Sequence, residues 1–262
     1  MHESAVRNIS LLKNIAAPSP RYLMRLVLLD KLIHHIPFTP GSFLEIGPGM
    51  GDVSDYLVKH YQGIRGTITD ISEQSINIVR NRLNECEGII LSVSDFTKME
   101  GEEQFDLVVA CEVFEHLKDD DSAFSVVHRL LINNGYFLFS VPAFMKKWGP
   151  ADQYGGHIRR YEKKPLKQLF HDHGFEIIEF WSYGFPVTNI ISPVSKLYYL
   201  LAQRKSPLTQ QHATKRSGTQ RKLASRLRHF PYIALMAPFF ALQGVVKELN
   251  IGDGYVVLAR KR

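Results

Sequence analysis

The segment from Gln153 to Tyr161, QYGGHIRRY, gathers side chains that can bind an anion or move a proton. A histidine titrates near neutral pH and can act as the general base for a hydroxyl group. A planar guanidinium can hold a carboxylate or phosphate through two parallel hydrogen bonds, and tyrosines can frame the path to a reacting atom. Adjacent arginines point in different directions, so we expect one of the two to serve. The candidate acceptor residues are Tyr154, His157, Arg159, Arg160 and Tyr161.

Two other interpretations compete with this assignment. The histidine can be a structural hydrogen-bonding residue while both arginines face water. A second acid–base pair, Glu115 and His116 in FEHL, is the rival for the catalytic role, although His116 can equally be a packing residue or a residue on the cofactor side. The sequence offers no metal-binding spacing of cysteine or histidine, so no metal site is predicted.

A glycine-rich turn, LEIGPGMG, follows the first apolar run and precedes a helical pattern. Glycine permits a tight turn and close approach of a ligand to the backbone, and the helix that follows offers free N–H groups. Gly47, Gly49 and Gly51 are therefore candidate cofactor-binding residues. An ordinary turn between a strand and a helix is the alternative, since such turns often use glycine.

Two aspartates end the next two strand-like runs. Asp70, in TITDIS, can accept hydrogen bonds from ribose hydroxyls, or it can cap the helix that follows. Asp95, in VSDF, can approach an adenine amino group with Phe96 as an apolar wall, or it can be a simple turn residue. The carboxyl ends of parallel strands meet at one edge of the sheet, where ligands bind in open α/β folds.

The charge around the glycine turn favours a cationic ligand. The dinucleotide fingerprint requires a third glycine where this chain has Asp52. Glu45 and Asp52 on either side of the turn would also repel a diphosphate. S-adenosylmethionine has a ribose and an adenine but no phosphate, and its amino and sulfonium groups are positive.

The elements that must position these residues alternate between strand and helix, which predicts a doubly wound α/β fold with a parallel sheet. Strands are predicted at Ser42–Ile46, Arg65–Thr69, Gly88–Val93, Phe105–Ala110, Tyr136–Val141, Gly174–Gly184 and Tyr255–Ala259. Helices are predicted at Arg21–Ile36, Val53–His60, Ser72–Cys86, Asp119–Leu131 and Leu166–His173.

Four regions follow from this pattern. Residues 1–40 are expected to form an N-terminal helical cap, and residues 41–184 the cofactor-binding core. Residues 185–251 are too long for a plain loop and are expected to form a largely helical, basic insertion or lid. Residues 252–262 are expected to supply the final strand of the core.

The glycine turn, the strand-end aspartates and FDLVVACEVFEHLKDD together resemble class I S-adenosylmethionine-dependent methyltransferases, in particular their small-molecule branch. The resemblance covers about residues 42–184 and the last strand. It implies a Rossmann-like sheet of seven strands with the last one antiparallel, and S-adenosylmethionine as the cofactor. The Asn/Asp-Pro-Pro-Tyr loop of many nucleic-acid methyltransferases is absent, which argues against a nucleic-acid substrate. The residues implied at the cofactor are Glu45, Gly47, Gly49, Gly51, Asp70, Ile71, Asp95, Phe96 and Glu112.

The net charge of +6 is concentrated in one segment. Residues 203–229 contain eight lysines and arginines and no acidic residue, so the rest of the chain is nearly neutral. Such a segment suggests an anionic partner, such as a carboxylate, a phosphate, a phospholipid surface or RNA, or else a solvated basic arm. The two cysteines and the lack of a signal-like start indicate a cytoplasmic protein. The apolar stretch 230–246 is interrupted by prolines and a glutamine, which favours a buried or interface-lying helix and leaves peripheral membrane association open.

Three functions are consistent with these features. The first is O-methylation of an anionic or hydroxylated small molecule, or of a peptide carboxylate, in natural-product or secondary metabolism. The second is methylation of a lipid or isoprenoid acceptor at a membrane surface. The third is a non-catalytic nucleotide-binding module whose basic segment contacts RNA.

Overall fold

A single seven-stranded sheet organises the chain. The computed structural model describes residues 19–205 and 232–262, apart from position 103 and the side chains of residues 202–205 and 232–234. The strand order is β3-β2-β1-β4-β5-β7-β6, and β7 runs antiparallel to both of its neighbours. This confirms the predicted α/β fold with an antiparallel last strand. The strands are β1 (Ser42–Ile46), β2 (Arg65–Asp70), β3 (Ile89–Val93), β4 (Phe105–Cys111), β5 (Leu131–Pro142), β6 (Phe175–Tyr183) and β7 (Gly254–Lys261).

Eight α-helices are described around this sheet. The main difference from the sequence prediction is a short helix, α5, which includes the start of the QYGGHIRRY segment. Another difference is β5, which begins at Leu131 rather than Tyr136 because Leu131 already pairs with Phe105 before an irregularity in the ladder. The helices are α1 (Pro20–Ile33), α2 (Asp52–His60), α3 (Glu73–Arg82), α4 (Asp120–Leu130), α5 (Pro150–Gly155), α6 (Lys163–Asp172), α7 (Val187–Lys205) and α8 (Tyr232–Val246).

The core consists of two apolar layers, one on each face of the sheet. Successive residues of a strand point to opposite faces, so Leu107 and Val109 of β4 enter one layer while Val108 and Ala110 enter the other. The first layer contains α1, α2 and α3, and the second contains α4 and α6. Phe124 of α4 lies among five phenylalanine rings of the second layer.

Helix α1 begins at Pro20, one residue before its predicted start, and ends at Ile33, three residues before its predicted end. The Ser19 hydroxyl accepts a hydrogen bond from the Tyr22 backbone N–H, and Pro20 occupies the first turn. The helix is buried against the first apolar layer over most of its length. Residues 1–18 of the expected N-terminal cap lie outside the described residues, and the division into four regions stays a prediction.

The described part of the segment between β6 and β7 is helical, as expected for an insertion. Gln243 of α8 is buried: its amide nitrogen donates to the Met24 carbonyl oxygen of α1, and its side-chain oxygen accepts from the Gly184 backbone N–H. These two bonds fix α8 to the N-terminal helix and to the end of β6. No helix among the described residues is long and apolar enough to span a bilayer. Most of the basic segment 203–229 lies outside the described residues.

Candidate active site

The glycine turn between β1 and α2 has the backbone geometry that its sequence predicts. Gly47, Gly49 and Gly51 have φ angles of +65°, +59° and +71°, a region that glycine adopts without steric cost. A Cβ atom at Gly47 would lie 2.6 Å from the side chain of Val113 in the loop after β4. The turn therefore passes close to that loop, and its backbone lines the carboxyl edge of the sheet.

The carboxylates beside this turn are less available than the sequence suggests. Asp52 is buried, receives a hydrogen bond from the Tyr22 hydroxyl and pairs with the Arg82 guanidinium at 2.5 Å. Glu45 is also buried and accepts a hydrogen bond from the Ser54 hydroxyl. Burial, together with the charge of Asp52, raises the pKa of Glu45 to about 8. Of the two carboxylates expected to make this turn negative, Asp52 is thus neutralised by Arg82, and Glu45 favours its protonated form.

Asp70 and Ile71 occupy the end of β2. One carboxylate oxygen of Asp70 accepts from the Ser72 backbone N–H at 2.8 Å. The helix-capping role considered for Asp70 belongs to Ser72, which is the N-cap residue of α3. Burial raises the pKa of Asp70. The Ile71 side chain is 42% exposed, which leaves an apolar surface beside the carboxylate.

Asp95 and Phe96 follow β3. One oxygen of Asp95 accepts from both the backbone N–H and the hydroxyl of Thr97, so the aspartate begins a short 3₁₀ turn. This is the turn role that the sequence left as an alternative. Phe96 is buried, and its ring centroid lies 6.0 Å from that of Phe114.

Glu112 lies in the loop after β4 with a positive φ of 59°, unusual for a residue other than glycine. Its carboxylate pairs with Arg21 at 2.7 Å and with Arg25 at 3.5 Å, and it accepts from the Tyr183 hydroxyl at 2.8 Å. Although burial opposes ionisation, the two guanidinium groups hold the pKa of Glu112 well below its usual range. The inner wall expected from Glu112 is thus tied to the N-terminal helix.

Two residues of the QYGGHIRRY segment bind Asp152, an acidic residue of α5 that was not predicted as a site residue. Asp152 is buried, and its carboxylate accepts from Nδ1 of His157 at 3.0 Å and from Nε of Arg160 at 2.8 Å. Arg160 also reaches Asp253, just before β7, at 3.2 Å. Asp253 in turn pairs with Arg21 at 2.7 Å. A chain of ion pairs therefore runs from the loop after β4 to His157.

The other candidates of this segment point elsewhere. Arg159 pairs with Asp120 at the start of α4, so the two adjacent arginines diverge as expected. The buried Tyr161 donates its hydroxyl toward Asp120 at 2.8 Å and toward the Phe114 carbonyl oxygen at 3.2 Å. The Tyr154 ring lies 5.2 Å from the ring of Tyr199 on α7. The framing role of both tyrosines stays a prediction.

Glu115 and the two histidines meet beneath this segment. Glu115 is fully buried, and neither carboxylate oxygen has a hydrogen-bond partner among the described residues. Nε2 of His157 lies 3.8 Å from Oε1 of Glu115, and the His157 and His116 rings are 4.9 Å apart. Nδ1 of His116 lies 3.1 Å from the Gly156 carbonyl oxygen. The structure thus brings the two rival acid–base assignments into one cluster.

Several residues of this ion-pair chain were not predicted from the sequence. Arg21 and Arg25 are four residues apart and so share a face of α1. Asp152 and Asp253 are isolated acidic residues that belong to no recognisable sequence motif. Their roles depend on partners that are distant in the chain, which a local pattern does not identify.

Comparison with known proteins gives matches at the level of family and fold. Residues 20–180 match a protein family described as a methyltransferase domain. Nodulation protein S of Rhizobium tropici is 32% identical over 111 residues, which are 40% of this chain and 46% of that protein. Malonyl-[acyl-carrier protein] O-methyltransferase 2 of Ilyobacter polytropus is 25% identical over 99 residues, 38% of each protein. The matched region thus spans less than half the length of these two relatives.

A solved structure matches the whole fold. The crystal structure of the N-methyltransferase NodS from Bradyrhizobium japonicum, in complex with S-adenosyl-L-homocysteine, superposes with a TM-score of 0.57 at 14% sequence identity. The superposition covers 99% of this chain and 98% of that one. At this identity the match shows a shared fold.

Proposed function

The chain belongs to the family of S-adenosylmethionine-dependent methyltransferases, and on that premise we propose that it methylates an oxygen atom of a small molecule. When bound, the cofactor supplies a methyl group activated by its sulfonium sulfur. Its acceptor is an anionic or hydroxylated metabolite or a peptide carboxylate, of the kind handled in natural-product or secondary metabolism. The residues at the carboxyl edge of the sheet fit this cofactor in their chemistry: the turn carries no side chain at Gly47, Gly49 or Gly51, and the Asp70 carboxylate can accept hydrogen bonds from ribose hydroxyls.

We propose that the strand ends divide the cofactor among them. The backbone of the glycine turn and Glu45 take the methionine end, and Glu112 forms the inner wall. One oxygen of Asp70 is used by Ser72, and the other is assigned to the ribose hydroxyls. The exposed side chain of Ile71 is assigned to the adenine, with Asp95 and Phe96 as its other neighbours.

The contact that carries the proposal for the acceptor is the hydrogen bond between Asp152 and Nδ1 of His157, at 3.0 Å. A carboxylate in this position fixes the tautomer, so the lone pair of the neutral ring is on Nε2. An imidazole held in this way can accept the proton that a hydroxyl group loses as its oxygen is methylated. His157 is therefore the proposed base.

The charges around His157 favour a hydroxyl over a carboxylate acceptor. An anionic acceptor needs a cation to orient it. Arg160 is 9% exposed and already pairs with Asp152 and Asp253, and Arg159 pairs with Asp120. A carboxylate acceptor would have to compete with these ion pairs, whereas a hydroxyl needs only the base.

The test begins with labelled S-adenosylmethionine and a cell extract, separated afterwards into small molecules, peptides, lipids and RNA. Label in a small molecule carrying an O-methyl group is the expected result. With that acceptor, His157→Ala should lower kcat by about 10²–10⁴-fold with little change in KM. His171→Ala, which removes an exposed histidine of α6, is the matched control. Label on a carboxylate, with Arg160→Ala raising KM and His157→Ala active, would contradict the base assignment.

The cofactor site has a separate test. Asp70→Ala should weaken binding of S-adenosylmethionine, measured by calorimetry without an acceptor. The control must remove an acidic side chain that has no structural contact. Asp106 does not qualify, because its carboxylate accepts hydrogen bonds from the backbone N–H groups of Gly41 and Ser42. Glu87→Ala, which removes an exposed acidic side chain, is the better one. Unchanged affinity in Asp70→Ala would count against the assignment of the ribose.

A second candidate function, methylation of a lipid at a membrane surface, is favoured by the apolar surface of α7. Ile190, Val194, Leu197 and Leu201 are between 49% and 73% exposed and recur at spacings of four, three and four residues. That spacing places them along one face of a helix. The basic segment 203–229 follows directly in the chain, as expected for attraction to anionic headgroups.

Vesicle flotation tests this alternative. The full chain should float with anionic vesicles at low salt and less at high salt. Val194→Asp should reduce flotation, whereas Ile90→Asp, an exposed apolar residue of β3, should not. Absence of flotation with any vesicle rejects the lipid function. Salt-sensitive RNA binding without methyl transfer would instead support the nucleotide-binding module.

A further inference from the structure

We propose that Glu115, His116 and His157 form a binding site for a divalent transition-metal ion at the acceptor end of the active site. The inference rests on the proposed function, because the ion would bind the oxygen of the hydroxyl acceptor. Each of the three residues offers one ligand atom, and these atoms lie within 4.8 Å of one another. Two ligands bonded at about 2.1 Å to one tetrahedral ion lie about 3.4 Å apart. Small side-chain rotations would close the present cluster around an ion.

The buried carboxylate is the first observation behind this site. Glu115 is 0% exposed, and neither of its oxygens has a hydrogen-bond partner among the described residues. Buried polar atoms in folded proteins almost always have a partner, and an exception calls for an explanation such as a catalytic role or a missing water or ion. A cation between Glu115 and the two imidazoles supplies that partner.

The orientation of the two imidazoles is the second, independent observation. Nδ1 of His157 lies 3.0 Å from a carboxylate oxygen of Asp152, and Nδ1 of His116 lies 3.1 Å from the Gly156 carbonyl oxygen. Both partners are acceptors, so Nδ1 carries the proton in each ring and Nε2 has the lone pair. Metal-binding histidines are typically held in this way by a carboxylate or a backbone carbonyl.

The donor set identifies the class of ion. Two imidazole nitrogens and one carboxylate oxygen suit Zn²⁺, Co²⁺ or Fe²⁺ better than Mg²⁺, which prefers oxygen ligands and retains its waters. Three protein ligands leave at least one position for the acceptor. Glu112 is not needed, because Arg21 and Arg25 already neutralise it.

The ion would take over the proton step that the proposed function assigns to His157, while methylation of the hydroxyl oxygen would stand. A divalent cation lowers the pKa of an oxygen group bound to it, so the acceptor hydroxyl would lose its proton to water. His157 then acts as a ligand, and Asp152 is a positioning residue that holds its ring. Glu115 and His116 are adjacent while His157 comes from the loop after α5, so no local sequence spacing reveals the set.

Metal titration tests the site without any acceptor. The full chain, stripped with a chelator and dialysed, is titrated with Co²⁺, whose visible absorption reports nitrogen and oxygen coordination, and Zn²⁺ is then added in competition. One ion per chain is expected. Glu115→Gln and His157→Gln should each weaken binding by more than about 100-fold, and Asp152→Asn by about 10–100-fold. His171→Gln is the matched control and should bind as the unmodified chain does.

Circular dichroism of each variant excludes a loss of fold, and Glu115→Asp, which keeps the carboxylate, should retain part of the binding. Equal affinity in the unmodified chain and in Glu115→Gln would overturn the inference. If the chelated protein binds no ion and still methylates a hydroxyl at full rate, the metal site fails while the proposed function stands. If one ion binds as described and no acceptor gains an O-methyl group, the proposed function fails while the metal site stands.

Discussion

Replacing Glu45 by glutamine should remove a specific part of the pH dependence of stability. Glu45 is 3% exposed, and burial together with the charge of Asp52 raises its pKa from 4.5 to about 8. Between these two values the folded chain holds a proton that the unfolded chain has released. The contribution of this group to the free energy of unfolding is therefore complete below about pH 4.5. It falls as the pH rises from there and is fully lost once the pH has passed about 8.

The magnitude follows from the size of this shift. Each unit of pKa corresponds to about 1.4 kcal/mol. Across the interval in which only the folded chain is protonated, the free energy of unfolding falls by about that amount per pH unit. From about pH 5 to about pH 8 the loss from Glu45 is on the order of 3–4 kcal/mol. Glutamine is neutral at every pH and can still accept the hydrogen bond from Ser54.

The assay is urea denaturation of the cofactor-free chain at several pH values between 5 and 8. Subtracting the curve of Glu45→Gln from that of the unmodified chain cancels the histidines, which titrate in both proteins. Glu87→Gln changes the same chemical group on the surface and should leave the pH dependence intact. Parallel curves for the unmodified chain and Glu45→Gln would show that the folded protein does not keep Glu45 protonated.

Three further predictions test other parts of the structure. Gly47→Ala places a side chain at a φ of +65° and 2.6 Å from an atom of the Val113 side chain. It should therefore lower the free energy of unfolding by about 1–3 kcal/mol and weaken cofactor binding. An unchanged melting temperature would contradict this. Arg160→Ala leaves the buried Asp152 carboxylate without its guanidinium partner and should cost about 3–5 kcal/mol. Arg159→Ala, in a more exposed pair, should cost less than about 1 kcal/mol. Equal losses in urea denaturation would refute the difference in burial. Phe124→Ala opens a cavity among five phenylalanine rings and should lower the free energy of unfolding by about 3–5 kcal/mol. A decrease below about 1 kcal/mol would mean that the neighbouring rings move to fill the cavity.

The fold was largely predictable because its signals are local. Apolar runs such as Ser42–Ile46 coincide with the observed strand, and the glycines after it have the positive φ values that the turn requires. The exceptions are also local in origin. Helix α5 spans only six residues, which is too short for a hydrophobic repeat to mark it, and β5 starts early through a single pair between Leu131 and Phe105.

The site was only partly predictable because its electrostatics are set by residues distant in the sequence. The sequence pointed to His157 and to the neighbouring arginines, and it predicted that Arg159 and Arg160 would diverge. It did not identify Asp152, which holds both His157 and Arg160. It also treated Asp52 as a free negative charge, whereas Arg82 neutralises it.

The sequence by itself determined the sheet, the glycine turn and the family, because hydrophobic periodicity and steric limits on φ act between near neighbours in the chain. Tertiary structure alone decided which charges are available. Burial and pairing depend on atoms brought together from α1, from the loop after β4 and from the residues before β7. The same packing placed Glu115 beside two imidazoles, and only that proximity makes a metal site worth testing.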